Sequence, residues 1–129
     1  MLSYIKKLLG FFSRGSGDIS QWYVVNFDET EIVRDVSPPG RAGFKDQLEW
    51  SAIERIVFEA TDPIVSDVLY LFSKHRPESY EIPMDAQGAD RLWYEILDRK
   101  LFDAELAIEA AVSEGRFFVW SPAAGTKRP

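Results

Sequence analysis

Across residues 22–84 this chain is a series of short apolar runs at the spacing of strands, several with apolar residues at every second position, and from Ala89 the apolar residues recur at every third or fourth. The first period lines one face of a strand and the second lines one stripe of a helix. A run of strands must therefore come first, with helices after it. That order excludes βαβ crossover units, which interleave the two, and points to an α+β domain whose helices pack on an antiparallel sheet.

Trp22-Tyr23-Val24-Val25-Asn26-Phe27 is β-branched and aromatic, Asp28-Glu29-Thr30 is a polar turn, and Ile32 and Val33 lead the chain back, which predicts a hairpin. Ser37-Pro38-Pro39-Gly40-Arg41-Ala42-Gly43 carries the prolines and glycines of a surface loop. Strand character resumes at residues 47–50 and, after a corner at Ser51-Ala52-Ile53-Glu54, at residues 55–61. There Ile56, Phe58 and Ala60 share the core face, leaving Arg55, Val57, Glu59 and Thr61 to a largely wet one. Asp67-Val68-Leu69-Tyr70-Leu71-Phe72 is apolar without alternation, as expected of a central strand covered on both faces. After a turn at residues 74–78, Tyr80, Ile82 and Met84 alternate with Ser79, Glu81 and Pro83. Pro83 has no N–H to give a ladder, so this strand ends there or lies at an edge.

Ala89, Leu92, Trp93, Ile96 and Leu97 form one stripe of a helix over 88–100, with Trp93 in the core. Asp103 is placed to cap a second helix, in which Ala104, Ala107, Ile108, Ala111 and Val112 repeat the spacing until Gly115 ends it. Residues 116–120 read as a last strand or an extended core segment. The expected architecture is α+β: an antiparallel sheet of about six or seven short strands followed by two packing helices. It occupies residues 18–121 as a single globular domain, with 122–129 as a flexible tail.

Few residues offer chemistry. Cysteine is absent, so disulfides, thiolate nucleophiles and zinc-finger sites are excluded. The single histidine, His75, stands in a turn between Lys74 and Arg76. No serine lies in a nucleophile elbow, and no glycine-rich loop could cradle phosphates. Asp28, Glu29 and Glu31 crowd one turn without the spacing that wraps oxygen ligands around calcium. Asp98, Asp103, Glu105 and Glu109 suit helix ends, where carboxylates favour the N-terminal dipole. No catalytic residue, cofactor or metal is assigned. Lys74, His75 and Arg76 remain as a short basic patch able to hold an anion.

Several segments carry a likeness when taken in order: Phe27-Asp28-Glu29 in the first turn, Trp50-Ser51-Ala52-Ile53 at the corner, Asp67-Val68-Leu69-Tyr70-Leu71-Phe72, Ile82-Pro83 with Ala86 and Gly88, Phe102-Asp103, and Phe118-Val119-Trp120. Together they resemble a group of small bacterial proteins of uncharacterised function. That resemblance implies a compact domain without an assigned activity. More loosely, the Trp-x-x-Ile corner ahead of a strand resembles bacterial pleckstrin-homology-like domains, in which several strands precede a packing helix. Such lipid-binding modules place basic residues in the first hairpin loop, whereas this chain has Asp28, Glu29 and Glu31 there. Inositol phosphate does not suit that loop.

The opening MLSYIKKLLGFFSRGSG differs from everything after it. Lys6, Lys7 and Arg14 are its only charges, so the remainder carries −9 against a whole-chain −6. An acidic body repels phosphate backbones, which argues against nucleic acid. The segment is too short to cross a bilayer, which takes about twenty apolar residues, and it lacks the pattern of a secretory signal. Wound as a helix, Leu2, Tyr4, Ile5, Leu8, Leu9, Phe11 and Phe12 fill one half while Lys6, Lys7 and Arg14 lie in the other. Gly15-Ser16-Gly17 then acts as a tether. Three occupants suit the apolar half: an anionic membrane surface, the domain itself, and a protein partner.

The resulting expectation is a non-enzymatic, cytoplasmic binding domain whose partner is a protein, with residues 1–17 able to hold it peripherally at the inner face of the membrane. Two other classes stay open, a toxin-neutralising immunity protein and an enzyme relying on carboxylates alone. The oligomeric state is not fixed by these residues.

Overall fold

The computed structural model describes residues 18–61 and 66–122. The expected N-terminal helix, with Leu2, Ile5, Lys6, Lys7, Leu8, Leu9, Phe11, Phe12 and Arg14, lies outside the described residues, as does most of the C-terminal tail.

The fold is α+β, but its strands form two antiparallel sheets rather than one. β1 (Tyr23–Phe27), β2 (Glu31–Val36) and β3 (Phe44–Glu49) make a three-stranded meander. Asp28 closes the first turn, its carboxylate accepting from the Thr30 and Glu31 N–H groups at 2.8 and 2.9 Å. The break between sheets falls at the predicted corner, where Trp50–Ala52 form a 3-10 turn. The indole of Trp50 donates to the Asp28 carbonyl at 2.8 Å and stands edge-on to Phe27. That anchor ties the corner to the first hairpin and turns the chain away from β3, so the next strand starts a second sheet.

β4 (Ile53–Ala60), β5 (Val68–Ser73) and β6 (Arg76–Pro83) follow as a second meander. The unalternating run does form an interior strand, β5, with Val68, Leu69, Tyr70 and Leu71 all buried. Helix α1 (Ala89–Asp98) and helix α2 (Ala104–Ala111) come next, and β7 (Arg116–Trp120) returns to pair with β4, giving the order β6-β5-β4-β7. The strand read from residues 116–120 thus follows the helices and completes the second sheet.

The inner face of the three-stranded sheet presents Tyr23, Val25, Ile32, Val36 and Leu48, and that of the second sheet Ile56, Phe58, Leu69, Leu71, Ile82 and Phe118. Helix α1 closes the space between them with Leu92 and Ile96, both fully buried. Trp93 is half-buried and stacks between Phe58 and Phe102, at 5.0 and 5.1 Å between ring centres. Gly88 precedes α1 with φ +88°, and a Cβ there would overlap the Val25 carbonyl. Glycine thus lets β1 and the helix start approach closely, with Val25 and Gln87 hydrogen bonded at 2.8 Å.

Helix α2 corrects the expected stripe. Asp103 caps it as predicted, accepting from the Leu106 N–H at 3.1 Å, but its inward residues are Leu106, Ala107 and Ala110, while Ile108 and Val112 are 71% and 84% exposed. Both stripes have helical spacing, and contact with β4 and β7 selects the one nearer Phe102. A second correction concerns β4: Glu59, expected on a wet face, is only 7% exposed and accepts the Tyr70 hydroxyl at 2.5 Å.

Candidate binding surface

The largest polar constellation in the interior centres on Arg34, which lies on the inner face of β2 between Ile32 and Val36. Its guanidinium meets Asp46 of β3 through two bonds, 2.9 Å from Nε and 2.6 Å from Nη2, and Nη1 donates to the Glu81 carbonyl of β6 at 3.1 Å. The Tyr23 hydroxyl donates to the same carbonyl. Rings of Phe44 and Tyr80 lie under the guanidinium at 4.9 and 5.1 Å. Burial pushes the Tyr23 phenol up to about 12 against the pull of Arg34, so it stays a donor. Burial opposes the charge on Arg34, but the bonded Asp46 carboxylate raises its pKa overall. The constellation joins the two sheets. The sequence reading missed Arg34 and Asp46; the one signal for them is alternation, since each stands two residues from apolar core positions on its own strand.

Arg76, from the predicted anion patch, belongs to this joint. It stacks on Tyr80 at 3.7 Å, approaches Asp46 at 3.9 Å, and donates to the Glu78 and Ser79 carbonyls. Lys74 and His75 form the exposed turn before it. Arg76 therefore turns back against the sheet while its two neighbours face solvent.

Two open clefts mark the surface. One, of about 530 Å³, is lined by Glu29, Thr30, Trp50, Ser51, Arg99 and Leu101. Arg99 lies flat on Trp50 at 3.9 Å and is held by Glu95 at 2.8 Å, which commits its charge to the helix. The other, of about 280 Å³, includes Glu54, Arg55, Phe72 and Arg76. Each cleft is lined by a single carboxylate, Glu29 in one and Glu54 in the other. Asp18, Asp67 and Asp85 share a corner, where loss of solvent and the neighbouring Asp18 and Asp67 charges raise the Asp85 pKa. Asp18 caps the first turn through Ser20, and Asp67 accepts the Thr61 N–H.

The feature with an unmet physical demand is β7. Among the described residues it has a strand neighbour only on its β4 side, so its other edge offers a row of backbone donors and acceptors. Phe117 and Val119 are 61% and 52% exposed beside that edge. Ile108 and Val112 project from the preceding helix. An open, apolar edge strand is a template for another strand. The sequence marked residues 116–120 as a last strand without assigning its faces; with Phe118 inward, the period of two puts Phe117 and Val119 outward.

Comparison of the chain with protein-family models, curated proteins and solved structures returns no match. The reading of the surface rests on its geometry.

Proposed function

We propose that this protein is a binding domain that takes an extended segment of a protein partner along the outer edge of β7. The supporting observation is the coincidence of an open strand edge with exposed Phe117 and Val119. Backbone pairing supplies affinity in such strand addition, and alternate side chains of the added segment supply specificity by packing on one face. Here that face is the Phe117 and Val119 side, so the preferred segment alternates apolar and polar residues. A −6 net charge favours basic residues at its polar positions.

Selection of random linear peptides on the intact chain tests this. Enriched peptides of alternating pattern should bind with β7 amides protected from hydrogen exchange, and Val119→Lys should weaken them by at least about tenfold, or 1.4 kcal/mol. Peptides that bind the variant equally well, or protect only the Trp50 and Arg99 cleft, would move the function elsewhere.

A further inference from the structure

The sequence groups Lys74, His75 and Arg76 as a basic patch, but the fold separates them and gathers a different set of donors around Arg76. At the end of the four-stranded sheet where β4 and β6 begin and β5 and β7 finish, the cleft of about 280 Å³ draws on every strand: Arg55 from β4, Phe72 and Ser73 from β5, Arg76 from β6, and Ser121 just past β7. Both ladders of β5 lose their register there. Glu54 is extra to the pairing of Ile53 with Ser73 and of Arg55 with Phe72. On the other side, residues 77–79 of β6 are fitted between the pairing of Leu71 with Tyr80 and of Ser73 with Arg76. Irregularities of this kind bend a strand and re-aim its side chains, and they recur beside functional sites.

The donors in the cleft differ in how far they are already used. The Arg55 guanidinium lies over the Phe72 ring at 4.4 Å. It is exposed and, among the described residues, makes no hydrogen bond or ion pair, although Glu54 precedes it. Stacking fixes the plane of its fork and leaves its N–H groups to a ligand. Arg76 gives Nε and Nη2 to the Glu78 and Ser79 carbonyls at 3.0 and 3.1 Å, which fixes its charge in the wall of the cleft. The Asp46 carboxylate, 3.9 Å from Nη1, is already bonded twice to Arg34. Ser73 Oγ is buried and accepts the His75 N–H at 3.2 Å, so its own O–H is left to donate. Ser121, half-buried, adds a second hydroxyl.

We infer that this cleft binds a phosphoryl group, held in two-bond fashion by Arg55, with the charge of Arg76 and the hydroxyls of Ser73 and Ser121 completing the site. A guanidinium fork matches two phosphoryl oxygens at once, and a tetrahedral oxyanion offers further oxygens to donors arriving from other strands, which a planar carboxylate does not. The volume falls just under the range of about 300–1,000 Å³ typical of small-molecule sites, so it suits a phosphate or a short phosphate ester rather than a nucleotide. Glu54 at the rim opposes the bound charge and keeps the affinity modest. Phe117 and Val119 do not line the cleft, so this site is separate from the proposed strand-binding edge.

Titration of the intact, isotope-labelled chain with inorganic phosphate and, separately, with methyl phosphate tests this. The amide signals of Arg55, Phe72, Ser73 and Ser121 should shift and saturate with a Kd of about 1 mM or tighter, while those of Trp50 and Leu101 in the other cleft stay in place. Arg55→Gln should weaken binding at least about tenfold. Arg55→Lys should weaken it nearly as much, since an ammonium keeps the charge and loses the fork. Both variants change an exposed side chain, so the fold persists to be measured. Glu54→Gln should tighten binding about two- to fivefold. Tighter binding of methyl phosphate names an ester as the ligand, and tighter binding of the inorganic ion names free phosphate. Shifts that do not saturate, acetate bound as well as phosphate, full binding by Arg55→Lys, or a loss that follows Lys74→Gln and His75→Gln in place of Arg55→Gln would each overturn the inference. Peptide capture at β7 is measured without phosphate, so the two proposals fail separately.

Discussion

The two edges of the four-stranded sheet are finished in opposite ways. In β6 the Met84 N–H donates to the Asp67 carbonyl, so even-numbered residues of this strand turn their backbone toward β5 and odd-numbered ones turn theirs outward. Pro83 therefore removes an outward donor, and Pro77, beyond the register shift of this strand, has no N–H to offer either. The Glu81 carbonyl is taken by Tyr23 and Arg34, and that of Ser79 by Arg76. β7 has no such treatment at its apolar centre, and its single cation, Arg116, is drawn to Glu109 at 2.9 Å. Proline, buried cations and bonded carbonyls are the means by which edges avoid pairing. Their use on one side shows that this fold can close an edge; among the described residues the β7 edge carries none of them.

The largest effect should come from dismantling the closed edge. Arg34→Ala leaves the Asp46 carboxylate without its two-bond donor and the Glu81 carbonyl with Tyr23 alone, and urea denaturation should show a loss of about 3–5 kcal/mol. A loss below about 1 kcal/mol would mean that the prolines alone finish β6. Tyr23→Phe keeps the packing and removes one donor, costing about 1–2 kcal/mol at neutral pH. It also carries a pH signature. With the folded phenol raised to about 12 from 10.0, the native state holds its proton where the unfolded chain has released it, so wild-type stability falls as pH rises from 10 to 12. The phenylalanine variant should lack that alkaline decline in melts across the range.

Val119→Lys should change stability by no more than about 0.5 kcal/mol while weakening peptide capture by at least about tenfold, which would place the open edge's value in binding rather than folding. The smallest effect belongs to Asp85, just beyond β6. Because its pKa is raised above the ordinary 3.8, the folded state is penalised once the carboxyl ionises. Asp85→Asn should therefore stabilise the protein at neutral pH, with the gain disappearing as pH falls toward 3.8. A gain that is independent of pH would show that charge is not its origin.

Much of this contrast was legible beforehand. The missing N–H of Pro83 announced an edge, the unalternating run at residues 67–72 announced an interior strand, and Asp103 announced a helix start, because each signal is local and stereochemical. What escaped was set by partners distant in sequence. Ile108 and Val112 have helical spacing as good as that of Leu106 and Ala110, and only the position of β4 and β7 decides which pair is dry. Glu59 looked solvated because its strand alternates, yet its environment is fixed by Tyr70 on the neighbouring strand. Arg34 was missed: its place between Ile32 and Val36 was the one local signal for it, and how a guanidinium is accommodated there depends on Asp46, Tyr23 and Glu81 being brought together.

The pairing of β4 with β7 also sets a sequence of events. All of β5, β6 and both helices lie between these strands, so as the chain is synthesised the first meander can close and β4 can find β5 while the opposite side of β4 still lacks its neighbour. Such non-local pairing is slow to form, because the intervening chain must be ordered before it is rewarded. In the nascent protein Val57 and Phe58 therefore sit at a sheet margin until RFFVW arrives. A ribosome-bound chain stopped before Arg116 should recruit chaperones that the completed domain does not, and the strand that relieves that margin becomes the margin of the mature sheet.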